Sequence, residues 1–98
     1  MSDQRIFITL LTIEMMIPYA QSLKDKRSAL RPLTDRIRSK FNASVAEVGY
    51  QDKWQRALVA VCFVSGDKRH LESDAARIRM LFEEATDVDI VSINQEWL

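Results

Sequence analysis

Residues 56–65, RALVAVCFVS, contain an unbroken apolar run from Leu58 to Val64. Branched and aromatic side chains favour a strand, and a strand that is apolar on both alternating sets is typical of the interior of a sheet. Residues 5–17, RIFITLLTIEMMI, have a similar character and stop before Pro18. They predict a long first strand whose alternation gives one core-facing set: Leu11, Ile13, Met15 and Ile17.

The segment between these two strands predicts a helix followed by another strand. Ser22 begins S-L-K-D, in which the Ser22 hydroxyl caps the helix and Asp25 completes a capping box. Pro32 should either kink this helix or restrict its regular part to a start near Ser28. The apolar stripe at helical spacing consists of Leu23, Leu30, Leu33, Ile37 and Phe41. A second strand is predicted at Ala43–Gly49.

Beyond residue 65 the pattern is helical and then extended. Asp67 is the expected cap of a second helix, and a last strand is predicted near residues 88–97. The stripe of the second helix consists of Leu71, Ala75, Ile78, Phe82 and Ala85. The order β-α-β-β-α-β predicts an α+β, ferredoxin-like domain over residues 1–98, with four antiparallel strands and both helices on one face of the sheet.

This topology brings two distant segments together. The turn into the first helix and the hairpin between the second and third strands emerge at the same end of the sheet. We therefore expect residues 22–27 and 49–56 to be neighbours at one pole.

Three separated motifs carry a resemblance to a known family. They are I17-P-x-A-x-S-L-K-D-K-R27, F41-N-x-S-V-A-E-V-G49 and Q51-D-x-W-Q-R-A57. In this order they resemble the YlxP-like family of small bacterial proteins of unknown function, and the likeness spans nearly the whole chain. The resemblance implies a ferredoxin-like fold. Genes of the family often lie beside genes for translation initiation, ribosome maturation and transcription elongation, which implies a role near RNA or the ribosome.

Charge is balanced over the chain but not along it. Fourteen basic and fourteen acidic residues give no net charge, which argues against wholesale capture of nucleic acid or anionic membrane. Residues 22–41 nevertheless carry seven basic and two acidic side chains, whereas residues 81–98 carry five acidic and no basic ones. The basic residues of the first helix have two possible roles. They can simply keep an exposed helix face soluble, or they can form a phosphate-binding surface at the pole.

The hairpin adds an aromatic side chain to that pole. Trp54 can stack on a base, or it can fold back over the edge of the core. The predicted nucleic-acid-binding set is Lys24, Lys26, Arg27, Arg31, Trp54 and Arg56.

The face of the sheet away from the helices is predicted to be apolar and to lack rings on its central strands. Because an exposed apolar patch usually marks a partner surface, a second copy of the chain is expected to cover it. The predicted dimer interface consists of Thr12, Met16, Leu58, Ala60 and Cys62, with Val64 alongside.

Signals for catalysis are weak. His70 and Cys62 are the only residues of their types, which is too few for a structural zinc site and gives no assured nucleophile pair. A hydrolase using Glu14, Glu47 or Asp52 is a third hypothesis, and whether Glu14 and Glu47 share a face depends on the register of the second strand. No catalytic residue, metal or cofactor is predicted.

The expected location is the cytoplasm, because one cysteine cannot form an internal disulfide and no signal segment or membrane span is evident. The leading hypothesis is a non-catalytic factor that binds structured RNA or a ribosomal particle. The alternative is a dimeric protein-interaction or small-ligand regulatory module.

Overall fold

The computed structural model describes residues 5–98 and contains six elements. Their order and bounds are β1 (Phe7–Met16), α1 (Leu23–Lys40), β2 (Ala43–Gly49), β3 (Arg56–Ser65), α2 (Lys68–Glu83) and β4 (Asp89–Trp97). The strands form one antiparallel sheet in the order β2-β3-β1-β4. The predicted ferredoxin-like fold is confirmed, and β1 and β3 are its central strands.

The core lies between the sheet and the two helices. The core-facing side chains predicted for β1 and Ile17 are buried, as are Val59, Val61 and Phe63 on β3. The helices contribute Leu30, Leu33 and Ile37 from α1, and Leu71, Ala75, Ile78 and Phe82 from α2. Phe41 and Ala85 lie just beyond the helices and are partly buried against the same core.

The N-terminus of α1 is capped as predicted. Ser22 Oγ accepts a hydrogen bond from the Asp25 backbone N–H at 3.0 Å. The Asp25 carboxylate accepts from the Gln21 N–H at 3.0 Å, one residue before the expected partner. Because this cap satisfies the first turn, α1 begins at Leu23 and not near Ser28. The helix is continuous through Pro32, which is exposed to solvent.

The second helix is also capped by the predicted residue, since Asp67 Oδ1 accepts from the Arg69 N–H at 3.0 Å. The last strand begins at Asp89, one residue later than expected, and Val88 before it is buried in the core.

Strand register settles the relation between the two sheet glutamates. Glu14 on β1 pairs with Leu58 on β3, whereas Glu47 on β2 pairs with Val59, the next residue along β3. Neighbouring positions of a strand point to opposite faces. Glu14 therefore lies on the open face, which is the sheet face opposite the helices, and Glu47 faces α1. The two carboxylates cannot act as a pair.

Candidate nucleic-acid interface

Lys26 is the link between α1 and the β2–β3 connection. Its side chain is 2% exposed, and Nζ donates to the carbonyl oxygens of Tyr50 at 2.7 Å and Lys53 at 2.8 Å. Nζ also forms an ion pair with Glu47 Oε2 at 2.6 Å. The ammonium is thus enclosed by three protein oxygens and is not accessible to a phosphate. This corrects the sequence hypothesis: Lys26 links the two segments of the pole and is not available as a contact to nucleic acid.

Gln55 makes a second link at the same end of the sheet. Its side-chain Nε2 donates to the carbonyl oxygens of Pro18 at 3.3 Å and Ala20 at 2.9 Å, and its own carbonyl accepts from the Ile17 N–H at 2.9 Å. Together with Lys26, these bonds confirm that residues 22–27 and 49–56 are neighbours.

Tyr50 is the first residue of the hairpin turn, which we define as residues 50–55. Its φ of 57° lies in the left-handed region, which is uncommon for residues other than glycine. The conformation is held at the Tyr50 carbonyl, which accepts from Lys26 Nζ and from the Lys53 N–H. The backbone bend also brings the Tyr50 ring to Arg56. No motif in the sequence signals this position.

Arg56 extends onto the open face and not toward α1. Its Nη2 lies 2.6 Å from Glu14 Oε2 and 3.0 Å from the Tyr50 hydroxyl, and the guanidinium lies 4.1 Å from the centre of the Tyr50 ring. The hydrogen bond with Glu14 stabilises the charged guanidinium and raises the pKa of Arg56 above its ordinary value. Arg56 was expected beside Lys24 and Arg27, but its cross-strand pairing with Met16 directs it to the open face.

Trp54 is half-exposed and borders a surface groove of about 480 Å³. We call this the hairpin groove. Its lining consists of Met16, Asp52, Lys53, Trp54, Gln55 and Arg56. Trp54 is therefore neither buried over the core nor isolated, and its ring is accessible beside charged groups.

Four cations follow one side of α1, which we call the basic flank: Lys24, Arg27, Arg31 and Arg38. They are separated by three, four and seven residues, spacings that place side chains on one helix face. All four are exposed. Arg27, Arg31 and Arg38 line a shallow groove with Glu47, so the flank faces the β2 edge.

Arg38 was not among the predicted contacts, although projection of α1 as a helical wheel identifies it. Its Nη2 donates to the Val45 carbonyl at 3.2 Å, and Nη1 lies 3.5 Å from Asp35 Oδ1. Arg38 is thus oriented by the edge of the sheet at one end of the basic flank.

The open face carries the residues predicted for a dimer interface. Thr12, Met16, Leu58, Ala60 and Cys62 are all partly exposed, and Val64 is half-exposed. Thr12 pairs directly with Ala60, so these residues form a stripe along β1 and β3. The strands contribute no ring to this face, but the hairpin turn contributes Tyr50 at one end.

The two side chains considered for nucleophilic catalysis, His70 and Cys62, lie in different parts of the fold. His70 Nε2 lies 3.2 Å from Asp74 Oδ2 on α2, and Cys62 is on the open face. Within residues 5–98, no group of three or more potential metal ligands is close enough to hold an ion. The helices of that same range are all too short or too polar to cross a membrane.

Comparison with known proteins identifies the family. The model of the family described as "Protein of unknown function (DUF503)" matches residues 8–95. The chain is also 33% identical over 84 residues to "Uncharacterized protein YlxP" of Bacillus subtilis, an alignment that covers 86% of this chain and 91% of the relative. With the fold and the three sequence motifs, these matches establish that the chain belongs to the DUF503, YlxP-like family.

Proposed function

We propose that this protein binds structured RNA, as a free transcript or within a ribosomal particle, through the basic flank and the hairpin turn. The observation that carries the proposal is the alignment of four exposed cations on one side of α1, ending at the pole where Trp54 is exposed. The role near RNA or the ribosome that the family resemblance implies points in the same direction.

The basic flank suits a phosphate backbone in length and chemistry. From Lys24 to Arg38 it extends along fourteen helical steps, or about 20 Å at a rise of 1.5 Å per residue. Three of the four cations are arginines, whose planar guanidinium can form two parallel hydrogen bonds with a phosphate. The acidic residues near the C-terminus lie outside this flank. Asp35 and Glu47 border it, but each is paired with a cation, Asp35 with Arg38 and Glu47 with the buried Lys26.

The hairpin turn suits an unpaired nucleotide at the end of a duplex or in a bulge. RNA-binding proteins commonly stack exposed bases on aromatic rings. Lys26 and Gln55 fix the turn from beneath, so that Trp54 is presented on a rigid base and loses little conformational entropy on binding.

The test is filter binding to ribosomal RNA fragments, and co-sedimentation with ribosomal subunits, over a series of salt concentrations. A variant with Lys24, Arg27 and Arg31 changed to alanine should bind at least tenfold more weakly than wild type at low salt. The slope of log affinity against log salt should become shallower by about 2–3, since each lost phosphate contact contributes about 0.7–0.9.

The matched control changes Arg36, Lys40 and Arg69 to alanine, which removes the same charge from exposed positions outside the basic flank. This variant should keep most of the affinity of wild type. Equal losses in the two triple variants would show that total charge, and not the basic flank, governs binding. Absence of RNA binding by wild type at low salt would refute the proposed function.

The second candidate is a protein-interaction module, favoured by the apolar stripe on the open face. Its occupant would be a second copy of the chain. Because Met16 belongs both to this stripe and to the lining of the hairpin groove, a dimer that covers the whole stripe and a ligand in the groove would exclude each other. A small-ligand regulatory role would use a cleft at the boundary between two copies. Such a module would not follow ribosomal subunits in sedimentation at any salt concentration.

A further inference from the structure

The lining of the hairpin groove combines an aromatic ring, an apolar side chain and groups of both charges. Trp54 supplies the ring and Met16 the apolar side chain, while Asp52, Lys53 and Arg56 supply the charges. Its volume of about 480 Å³ falls within the range of about 300–1,000 Å³ that is usual for small-ligand sites. A groove of this composition can hold one flat, polar ring.

The polar groups of the groove are available to a ligand. Among the described residues, no hydrogen bond or ion pair engages the Asp52 carboxylate or the Lys53 ammonium. Arg56 uses Nη2 for Glu14 and Tyr50, which leaves the N–H groups of Nη1 free of those contacts. Gln55, in contrast, is occupied by Pro18 and Ala20 and serves to position the turn.

The charges indicate which base fits. An ionised carboxylate only accepts hydrogen bonds, so Asp52 favours a base edge with donors, whereas Arg56 only donates and favours acceptors. Guanine presents two adjacent donors, N1–H and the N2 amino group, and two acceptors, O6 and N7. Adenine, cytosine and uracil each lack the pair of adjacent donors that a carboxylate can bind with both oxygens.

We propose that the hairpin groove binds a guanine base, with the ring stacked on Trp54, the Watson–Crick edge toward Asp52 and a flanking phosphate near Lys53. This deepens the proposed function and rests on it for the source of the base, an unpaired guanosine in structured RNA. A free guanosine nucleotide has the same chemistry and is the second source that the experiment distinguishes.

The experiment uses Trp54 as its own reporter. The chain has two tryptophans, so a Trp97→Phe background leaves Trp54 as the single emitter. The protein is titrated with a fully paired RNA duplex, with the same duplex carrying one bulged guanosine, adenosine or uridine, and with guanosine monophosphate. Affinity and quenching of Trp54 emission are both recorded.

We expect the guanosine bulge to bind at least tenfold more tightly than the adenosine or uridine bulge, and to quench Trp54. In Asp52→Asn the preference should fall below about threefold, because an amide opposes one donor of guanine with another donor. Binding of the paired duplex should remain unchanged in Asp52→Asn. Glu72→Gln, an equal change of charge at an exposed position on α2, should keep the preference.

The outcomes separate this inference from the proposed function. Equal affinity for all three bulges with unchanged Trp54 emission overturns the guanine site, while binding of the duplex still supports RNA recognition. Quenching by guanosine monophosphate without any RNA binding supports the guanine site with a free nucleotide as its ligand, and refutes the proposed function. Absence of both signals refutes both.

Discussion

The ammonium of Lys26 is enclosed by protein oxygens although its neighbours Asp25 and Arg27 are exposed. A buried charge is tolerated only when it is paired and hydrogen-bonded, and here two carbonyls and a carboxylate meet that requirement. The same contacts hold Tyr50 in its left-handed conformation, since the Tyr50 carbonyl is one of the acceptors. One buried lysine, together with Gln55, thus holds the turn that exposes Trp54.

Replacement of Lys26 by methionine should lower the free energy of unfolding by about 2–4 kcal/mol. Loss of one partner from a fully buried ion pair costs about 3–5 kcal/mol, and Glu47 is 27% exposed, which reduces the penalty. Denaturant unfolding measures the change. The exposed Lys24→Met should leave stability nearly unchanged.

Combination of Lys26→Met with Glu47→Gln should restore part of the lost stability, because the carboxylate is no longer left without its counter-ion. If Lys26→Met unfolds at the same denaturant concentration as wild type, the ion pair does not stabilise the pole.

At the scale of the element, α1 and the β2 edge form one unit. Arg38 donates to the Val45 carbonyl, and the Gln51 side chain donates to the Glu47 carbonyl at 3.0 Å. These side chains occupy backbone acceptors on an edge strand that would otherwise be open to pairing with another chain. Two backbone acceptors of the β2 edge, those of Val45 and Glu47, are therefore unavailable to an added strand.

Pro32→Ala should raise the free energy of unfolding by about 1–3 kcal/mol. Proline in a helix interior lacks the N–H that donates to the residue four positions before it, and it is about 3 kcal/mol less favourable than alanine. Part of this gain is offset because proline also restricts the unfolded chain. Residue 32 is exposed, so no core contact is lost. A lower melting temperature of Pro32→Ala would contradict this account of α1.

At the scale of the whole molecule, the helices cover one face of the sheet and leave the other open. The central strands place partly exposed apolar side chains on that face, from Met16 and Leu58 near the hairpin to Val64 at the far end. A solvated stripe of this kind is an unfavourable surface for a monomer. A two-fold dimer would bury it while the basic flanks remain outside the covered face.

Light scattering at micromolar concentration should therefore give the mass of two chains. Ala60 lies at the centre of the stripe, paired with Thr12 and Ala46, so Ala60→Arg should reduce the mass to that of one chain without disturbing the core. Ala76→Arg, at an exposed position on α2, is the matched control and should remain dimeric. A monodisperse wild-type monomer would exclude the open face as a dimer interface.

The amino-acid sequence by itself determined the element order, both helix caps, the core-facing sets and the central position of β1 and β3. These follow from short-range sterics, from the spacing of apolar residues and from the rules of chain connection, all of which are visible in a linear pattern. The continuity of α1 through Pro32 was less predictable, because packing of Leu30 and Leu33 on either side competes with a local penalty.

Only the tertiary structure decided which charges are free. The sequence does not distinguish Lys26 from the neighbouring cations Lys24 and Arg27 on the same helix. The oxygens that enclose Lys26 come from residues more than twenty positions away. Strand register likewise separated Glu14 from Glu47 and directed Arg56 to the open face. The charge of a side chain is a property of the residue, but its exposure is a property of everything packed around it.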